Sequence, residues 1–380
     1  MSRPAVYLDH NASSPLLPEA RTALLAALEM AGNPSSVHAH GRALRASIET
    51  ARGQVAKLGG AERDQVVFTG SATEAITQAI VGGVKAFGLD TVIVSAGEHA
   101  AVLKAAEASG ARVVRVGLER SGLIDLDQLA SVLGDAGRAL VAVHSVNNET
   151  GVVQPVGRIG AIVGPTPHYL FIDAAQAFGK RDLDFASSPA DLMAVGAHKI
   201  GGPAGVGALL MKRHAEAVRL IPGGGQETGR RGGTEPAALI AAFGAAAATF
   251  PARYAGAKVD DLTARLEAGM LAIAPEAVVF GAEAERIGNT VNVAVPGLTS
   301  AVLMMGLDLA GVSVSSGSAC SSGKVGPSHV LAAMGVPGEL AECGIRVSLG
   351  WSSAHAEVAA FLAAFETILR RHRSRHGQAA

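Results

Sequence analysis

Short, mostly apolar runs alternate with helical patterns through the first two thirds of the chain, and this alternation restricts the possible folds more than any other feature. Runs such as Thr91–Ser95 and Tyr169–Asp173 are rich in β-branched and aromatic residues and lack the polar alternation of a half-exposed strand. Helical patterns at residues 99–109, 127–133 and 159–163 separate such runs. The pattern predicts an α/β protein with a mainly parallel sheet that helices cover on both faces.

Polar side chains just past the carboxyl ends of parallel strands gather in one crevice. Candidates at such positions are the 69–73 turn, His99, Asn147, Asn148, Asp173, Gln176 and Lys199. We therefore expect a functional site at this edge of the sheet.

Lys199 ends an apolar stretch and precedes the chain breaker Gly201-Gly202-Pro203. Burial lowers the pKa of an amine and makes it a usable nucleophile toward a carbonyl group. A lysine at a strand end can also extend into solvent, and for an isolated stretch that is the commoner case. The other polar residues at the predicted crevice favour the nucleophile.

The segment Thr69-Gly-Ser-Ala-Thr-Glu74 joins a strand to a helix. A glycine turn at a helix N-terminus is a typical phosphate site, and Ser71 and Thr73 would add hydroxyl donors. Ser71 and Glu74 also have the spacing of an ordinary capping box. The sequence leaves both interpretations open.

Composition excludes some classes of partner. The 380 residues include 32 basic and 33 acidic side chains, and a net charge of −1 offers no basic field for nucleic acid. The longest uncharged apolar run, residues 237–250, is shorter than the roughly 18 residues that a membrane helix needs, so we expect a buried helix there. No motif predicts a metal site.

Other features of composition bear on the surroundings of the protein. Charged residues make up 17%, below the roughly 25% usual in soluble proteins, which suggests that a second subunit covers part of the surface. Two cysteines form no disulfide framework, and no leader segment is evident, so we expect a cytoplasmic protein.

The chain changes character after the alanine-rich helix. Residues 289–295 alternate like a half-exposed strand, residues 315–324 form a Ser/Gly-rich loop, and residues 356–373 form a closing helix. We predict a large domain at residues 12–250 and a smaller α/β domain at residues 1–11 and 251–380 that carries the cysteine loop.

Asp173, Lys199 and the 70–73 turn form a chemically meaningful set. An enzyme that uses pyridoxal phosphate (PLP) needs an amine to bind it, a carboxylate facing the pyridine nitrogen and a cradle for the phosphate. These residues can fill the three roles.

A series of motifs makes a specific resemblance. In chain order they are Ala72-Thr73-Glu74, Glu98-His99, Asn147-Asn148-Glu149, Asp173-Ala-Ala-Gln176, His198-Lys199, Arg231-Gly-Gly-Thr234, Ser315-Ser-Gly-Ser-Ala-Cys320 and Ile345-Arg346-Val-Ser-Leu-Gly350. Their order and spacing resemble the cysteine desulfurases, which are fold-type I PLP enzymes of the class V aminotransferase group. The match runs from Tyr7 to about Trp351.

The resemblance implies a role for each matched residue. Lys199 would bind PLP covalently and shuttle protons, His99 would stack on its ring, and Asp173 would face the ring nitrogen. The remaining cofactor contacts would be Gln176 and Asn148 at the ring hydroxyl and Ala72, Thr73 and His198 at the phosphate. Arg346, with Asn148, would bind the substrate carboxylate, and Thr234 would complete the phosphate site of the neighbouring subunit in a homodimer.

Cys320 decides the reaction that the resemblance implies. It lies in a Ser/Gly-rich loop, whereas Cys343 precedes a strand and is expected in the core. Cys320 would take the sulfur of L-cysteine as a persulfide, release L-alanine and pass the sulfur to an acceptor protein. The alternatives are a related PLP enzyme, such as a selenocysteine lyase or an aminotransferase, and a catalytically silent partner in sulfur trafficking.

The chain departs from the family at three places. Gly196-Ala197 replaces the usual Ser-Gly before His198-Lys199, which removes one phosphate-binding hydroxyl. His10-Asn11 stands where a tyrosine often follows the first aspartate. The longer tail with which some relatives dock a scaffold protein is absent, so that partner is not carried over. The basic C-terminal residues have the charge that favours a helix end, and the sequence does not assign them a further role.

Overall fold

A computed structural model describes residues 6–316 and 328–375. The strands are β1 (Val6–Tyr7), β2 (Val66–Thr69), β3 (Thr91–Ser95), β4 (Arg112–Val116), β5 (Ala139–His144), β6 (Tyr169–Asp173), β7 (Leu192–Gly196), β8 (Gly207–Met211), β9 (Val278–Val279), β10 (Thr290–Ala294), β11 (Val312–Ser313), β12 (Ser315–Ser316) and β13 (Gly344–Ser348). The α-helices are α1 (Pro18–Leu28), α2 (Ala39–Gly59), α3 (Ala72–Thr77), α4 (Gly83–Phe87), α5 (Ala100–Ala108), α6 (Leu126–Asp135), α7 (Val156–Val163), α8 (Ala237–Gly256), α9 (Val259–Ile273), α10 (Ser300–Leu309), α11 (His329–Ala333), α12 (Gly338–Ala341) and α13 (His355–Arg375).

The larger sheet has seven strands in the order β2-β8-β7-β6-β5-β3-β4. β8 runs antiparallel to β2 and β7, and the other strands are parallel to one another. The predicted α/β fold with a mainly parallel sheet is confirmed. The reversal of β8 follows from its short connection to β7, because a parallel neighbour would need a long crossover.

Both faces of this sheet are buried, except at the edge strand β4, where Arg112 and Arg115 are exposed. Along β5, Val141 and Val143 pack into one hydrophobic cluster, and Leu140 and Ala142 pack into another on the opposite face. Side chains alternate across a strand, so a strand that is apolar at every position must be covered twice. This burial explains why the apolar runs of the sequence show no alternation.

α8 is the one helix in the described part of the chain that is long and apolar enough to cross a membrane. It packs along α1 and α2, and Ile240, Phe243 and Phe250 are buried there. A Cβ at Gly244 would lie 2.5 Å from the Cα of Ala51, so this close approach of α8 to α2 requires glycine. The expected burial of residues 237–250 is confirmed, and most of residues 251–256 are exposed.

The later part of the chain forms a second sheet, with the order β12-β13-β10-β9 and antiparallel pairing. α9, α10 and α13 contribute to a separate hydrophobic cluster against it, which Leu8 joins from the N-terminal segment. β1 pairs in parallel with β11 and so ties this segment to the later part of the chain. The division at residues 11/12 and 250/251 stays a prediction, and α8 runs through the second of these positions.

Helix ends differ from the predicted ranges where a polar residue caps the helix. Asp125 accepts the backbone N–H of Gln128, so α6 begins at Leu126, before the predicted residue 127. His99 likewise caps α5 and is not its first residue.

Candidate active site

The predicted strand-end residues surround one cavity of about 330 Å³. Its lining includes Ala72, Thr73, His99, Asn148, Asp173, Gln176, His198, Lys199 and Arg346. This volume is within the usual range for small-molecule sites, and polar groups converge on it from several strands. A larger groove of about 730 Å³ between α10 and α13 is lined mostly by apolar residues and has none of these groups.

Asn147 is placed differently from the prediction, and the structure of one chain does not test Thr234 or Cys320. Asn147 does not line the cavity; its side chain accepts backbone N–H groups of Glu149 and Thr150 and holds the turn. Thr234 is exposed and lies outside the cavity of its own subunit. Cys320 lies outside the described residues. Cys343 is buried, as expected for a core residue.

Lys199 lies in a turn of 3₁₀-helix, Ala197–Ile200, directly after β7. Gly201 ends this turn with a φ of 73°, and the side chain of Leu17 packs 2.7 Å from where a Cβ would be, so glycine is needed there. The Lys199 amine donates hydrogen bonds to the backbone carbonyls of Asn11 and Ala12. The reversal of the chain thus directs the amine toward the N-terminal segment at the cavity.

Asp173 ends β6 beside the cavity. It is 7% exposed, and burial raises the pKa of its carboxyl group, although the N–H of Ala175 donates to Oδ1 at 2.9 Å. Next to it, burial lowers the pKa of His99, an effect that the charge of Asp173 opposes. His99 Nδ1 accepts the N–H of Ala101 at 3.1 Å, so the neutral ring carries its hydrogen on Nε2.

The 69–74 turn shows both of the features that the sequence left open. Ser71 Oγ accepts the N–H of Glu74, which is N-capping, while the Glu74 carboxylate accepts the N–H of Gly70 and pairs with Arg231. Ala72 and Thr73 nevertheless line the cavity. The turn is therefore capped by Ser71 and still presents Ala72 and Thr73 to the cavity.

His198 also lines this side of the cavity. Burial lowers the pKa of His198 to about 4, with Lys199 and Lys180 as further causes. The ring is therefore neutral at pH 7. In this state the ring can contribute a hydrogen bond to a phosphate.

Arg346, on β13, is 1% exposed. Its guanidinium donates to Asp9 at 2.7 Å and to the carbonyl of Asn148 at 3.0 Å. Its Nε is buried and has no hydrogen-bond partner within residues 6–316 and 328–375. A buried donor without a partner is costly, and a carboxylate in the cavity would satisfy it.

Sequence reasoning missed several residues at the site, among them Asn11, which lines the cavity, and Lys180, which contacts Asn11 from outside the lining. Asn11 is 2% exposed: its side chain donates to Thr290, and its carbonyl accepts from Gln176 and Lys199. Lys180 contacts Gln176 and Asn11. Asn11 was visible as a departure from the family pattern, whereas nothing in the sequence distinguished Lys180 from a surface lysine.

Comparison with known proteins places this geometry in a family. The model of the class-V aminotransferases matches residues 6–361. Cysteine desulfurase 2 of Trichormus variabilis is 37% identical over 97% of this chain and 94% of its own length. The cysteine desulfurase NifS of Azotobacter vinelandii is 37% identical over 93% of this chain and 90% of its own.

Solved structures agree. The NifS-like protein of Rickettsia africae superposes with a TM-score of 0.87 and 30% identity, covering 96% of this chain and 99% of that one. The chain therefore belongs to the class-V aminotransferases and, within them, to the cysteine desulfurases. This is a PLP-dependent family with the fold-type I architecture, and these relatives do not favour the alternatives of an aminotransferase or a selenocysteine lyase.

The residues present fit PLP. The cavity combines an amine on Lys199, a buried carboxylate on Asp173 and a helix start at Ala72. A Cβ at Gly207 would lie 2.7 Å from the backbone nitrogen of Ala72, so β8 approaches this helix start as closely as only glycine allows. The donor set matches a phosphorylated pyridine aldehyde: a nucleophile, a group for the ring nitrogen and a turn for the phosphate.

Proposed function

We propose that this protein binds PLP at Lys199 and transfers the sulfur of L-cysteine to Cys320. The observation that carries the proposal is the convergence of Lys199, Asp173 and Arg346 on one cavity. The names of the curated relatives support the same reaction. In that reaction the C–S bond of L-cysteine breaks and an S–S bond forms to Cys320. L-Cysteine and the thiol become L-alanine and the persulfide, so the atoms balance.

Each side chain has a distinct part. Arg346 binds the substrate carboxylate through its guanidinium, whose Nε lacks a partner within the described chain. When PLP is bound, Asp173 would hold the ring nitrogen, and Thr73 and His198 would contact the phosphate. PLP supplies, when bound, a cationic ring that withdraws electrons from the substrate. The Lys199 amine moves the proton between the substrate carbon atoms. It can do so because it lines the cavity directly after β7.

The test is to incubate the purified protein with L-cysteine and PLP and to measure alanine together with protein-bound sulfane sulfur. We expect equal amounts of both in a single turnover. Cys320→Ser should retain the absorbance of bound PLP and lose the sulfane sulfur, whereas Lys199→Ala should lose the covalent absorbance band. Cys343→Ala is the matched control and should keep both. Undiminished sulfane sulfur in Cys320→Ser would contradict the proposal.

We also propose a homodimer in which Thr234 completes the phosphate site of the partner subunit. Thr234 is exposed, and the neighbouring Glu235 is buried with both carboxylate oxygens lacking a hydrogen-bond partner within the described chain. Arg45 lies 3.5 Å from Glu235, too long for a good hydrogen bond. These unpaired groups support the proposal that a partner subunit covers this segment.

Mixing two defective variants tests the homodimer. Lys199→Ala and Thr234→Ala should each lower sulfide release from L-cysteine. A mixed dimer should contain one intact site, formed by Lys199 of one chain and Thr234 of the other, so mixing after dissociation should restore activity. If Thr234 served its own subunit, mixing would restore nothing.

A further inference from the structure

Lys180 is a half-buried lysine that the proposed reaction does not use. It follows Gly179, which has a φ of 75° and packs against Phe250 and Ile200. Its amine donates to Gln176 Oε1 at 3.0 Å and to Asn11 Oδ1 at 3.4 Å. No carboxylate of the described chain lies within ion-pair distance of it.

This arrangement is unfavourable for the charged amine. Burial, together with the charges of Lys199 and Arg346, lowers the pKa of Lys180 to about 7, and burial is the largest of these causes. Enclosing an ammonium group without a counter-charge costs stability. A methionine or leucine would fill the same space without that cost, so the presence of an amine at this position requires an explanation.

The first effect of the amine is on the orientation of Gln176. An ammonium group only donates hydrogen bonds and a backbone carbonyl only accepts them. Gln176 Oε1 must therefore face Lys180, and Nε2 must face the carbonyl of Asn11, to which it donates at 3.0 Å. Rotating this amide by 180° would place Nε2 against the amine of Lys180, which are two donors, and Oε1 against the carbonyl of Asn11, which are two acceptors. Lys180 thus fixes a side chain that lines the cavity.

The second effect passes through Asn11. Its Oδ1 faces Lys180 and also accepts from Asn289 at 3.0 Å, which orients Nδ2 toward Thr290. The carbonyl of this asparagine accepts from the amine of Lys199. Lys180, Gln176, Asn11 and Lys199 therefore form one continuous set of hydrogen bonds.

The third effect is electrostatic. The repulsion between Lys180 and Lys199 is mutual, so a charge on either amine disfavours a charge on the other. A neighbouring cation is one of the ways in which a protein keeps a lysine nucleophile uncharged. The other ionisable groups that interact with Lys180 are Arg346, His10 and His198, and burial keeps both histidines neutral near pH 7.

We propose that Lys180 is a positioning residue of this site: it fixes the amides of Gln176 and Asn11 and, as a second cation, favours the uncharged amine of Lys199. The inference rests on the proposed function, since the cofactor is what Gln176 and Lys199 would hold. The two parts of the role, hydrogen bonding and charge, can be separated by substitution.

The experiment compares Lys180→Met, which removes both parts, with Lys180→Gln, which keeps an N–H donor but no charge. Lys57→Met, at an exposed position of α2, is the matched control. The first measurement is the affinity of each apo-protein for PLP. We expect a loss of about tenfold in Lys180→Met, less than threefold in Lys180→Gln and none in the control.

The second measurement is the pH midpoint of the absorbance change of bound PLP. Both Lys180 variants should shift this midpoint to higher pH, because the neighbouring cation is gone in both. The control should not shift it.

A third measurement needs no cofactor. Because the pKa of Lys180 is lowered to about 7, the unfolded chain binds more protons than the folded chain between about pH 7 and pH 10.5. The stability of the apo-protein should rise with pH across this window, and Lys180→Gln should flatten the rise.

The outcomes separate the two levels of inference. If the wild-type protein binds no PLP, the proposed function fails. If the wild type binds PLP and both Lys180 variants match Lys57→Met in affinity and pH midpoint, the role of Lys180 alone is wrong. Should Lys180→Met not fold, Lys180→Gln still decides the electrostatic part.

Discussion

Two buried arginines show how this protein separates structure from function. Arg52, on α2, donates to both carboxylate oxygens of Glu227 at 2.7 and 2.8 Å and to the carbonyl of Val66. Arg346, in the cavity, is as deeply buried but leaves its Nε without a partner in the described chain. The guanidinium of Arg52 is fully paired within the fold, whereas that of Arg346 keeps one unpaired donor beside the cavity, which fits the carboxylate-binding role proposed for it.

Two buried glutamates repeat the contrast. Glu227 accepts the guanidinium of Arg52 and the N–H of Phe68. Glu149 accepts the hydroxyl of Ser328, and burial raises its pKa to about 7 even though that bond and the charge of Arg346 act in the opposite direction. Glu227 is therefore fully paired within the fold, and Glu149 is paired only in part.

The largest effect is expected from breaking the saturated pair. Arg52→Met leaves the Glu227 carboxylate buried without a counter-charge, which should lower the free energy of unfolding by about 3–5 kcal/mol. Urea unfolding at pH 7 measures it. The double variant Arg52→Met/Glu227→Gln should recover part of this loss, because the uncompensated charge is gone. A single variant as stable as wild type would remove the first half of the comparison.

Glu149→Gln should change how stability depends on pH. With a pKa raised from 4.5 to about 7, the folded chain binds more protons than the unfolded chain between those values, so wild-type stability should fall as pH rises through this window. The variant cannot ionise and should be the more stable protein above pH 7, by about 3 kcal/mol at most. Below pH 4.5 the two should agree.

Unfolding free energies at several pH values measure this difference. Glu285→Gln, at an exposed position, is the control and should parallel wild type. Parallel curves for Glu149→Gln and wild type would show that Glu149 is paired better than its contacts indicate.

Arg346→Lys tests the unsaturated cation. Lysine keeps the charge toward Asp9 but loses the planar fork that binds a carboxylate through two bonds. We expect KM for L-cysteine to rise about thirtyfold, equivalent to about 2 kcal/mol, with little change in unfolding free energy. Arg181→Lys, whose partner Glu285 is exposed, should leave KM unchanged. A fall in stability without a change in KM would make Arg346 a structural residue like Arg52.

The sequence predicts the sheet well because its signal is local. Apart from the edge strand β4, where Arg112 and Arg115 are exposed, the strands are buried on both faces, so their apolar character is visible at nearly every position. The direction of β8 is not visible in its composition, since an apolar run reads the same in a parallel and an antiparallel strand. The short connection after Lys199 carries that information.

The residues of the site show the same difference between local patterns and long-range contacts. Asp173 and Lys199 were predictable because strand ends of one sheet meet at one edge. Lys180 was not, because its role depends on contact with Asn11, 169 positions earlier in the chain. Arg346 was predicted from the resemblance, but its unpaired Nε is visible only in the fold, where Asp9 and the carbonyl of Asn148 occupy its other nitrogen atoms. Local patterns identify which residues reach the cavity, and only the fold shows which of them are fully paired.

The smallest predicted effect concerns a donor that the chain lacks. Gly196 stands where the family usually has serine, and its backbone is ordinary extended strand, with φ −133° and ψ 137°. A Cβ there would lie 3.3 Å from the Cβ of Ala72, so Gly196→Ser requires a shift of a few tenths of an ångström beside the predicted phosphate position. The added hydroxyl should strengthen PLP binding about fivefold, or about 1 kcal/mol.

Gly196→Ala makes the same contact without the hydroxyl and should bind PLP no better than wild type, so the difference between the two variants isolates the hydrogen bond. Equal affinities of the two variants for PLP would mean that another donor already occupies this position. The hydrogen-bonding groups at Ala72 and Thr73 would then be fully paired, as those of Arg52 are, and would not include an unpaired group like the Nε of Arg346.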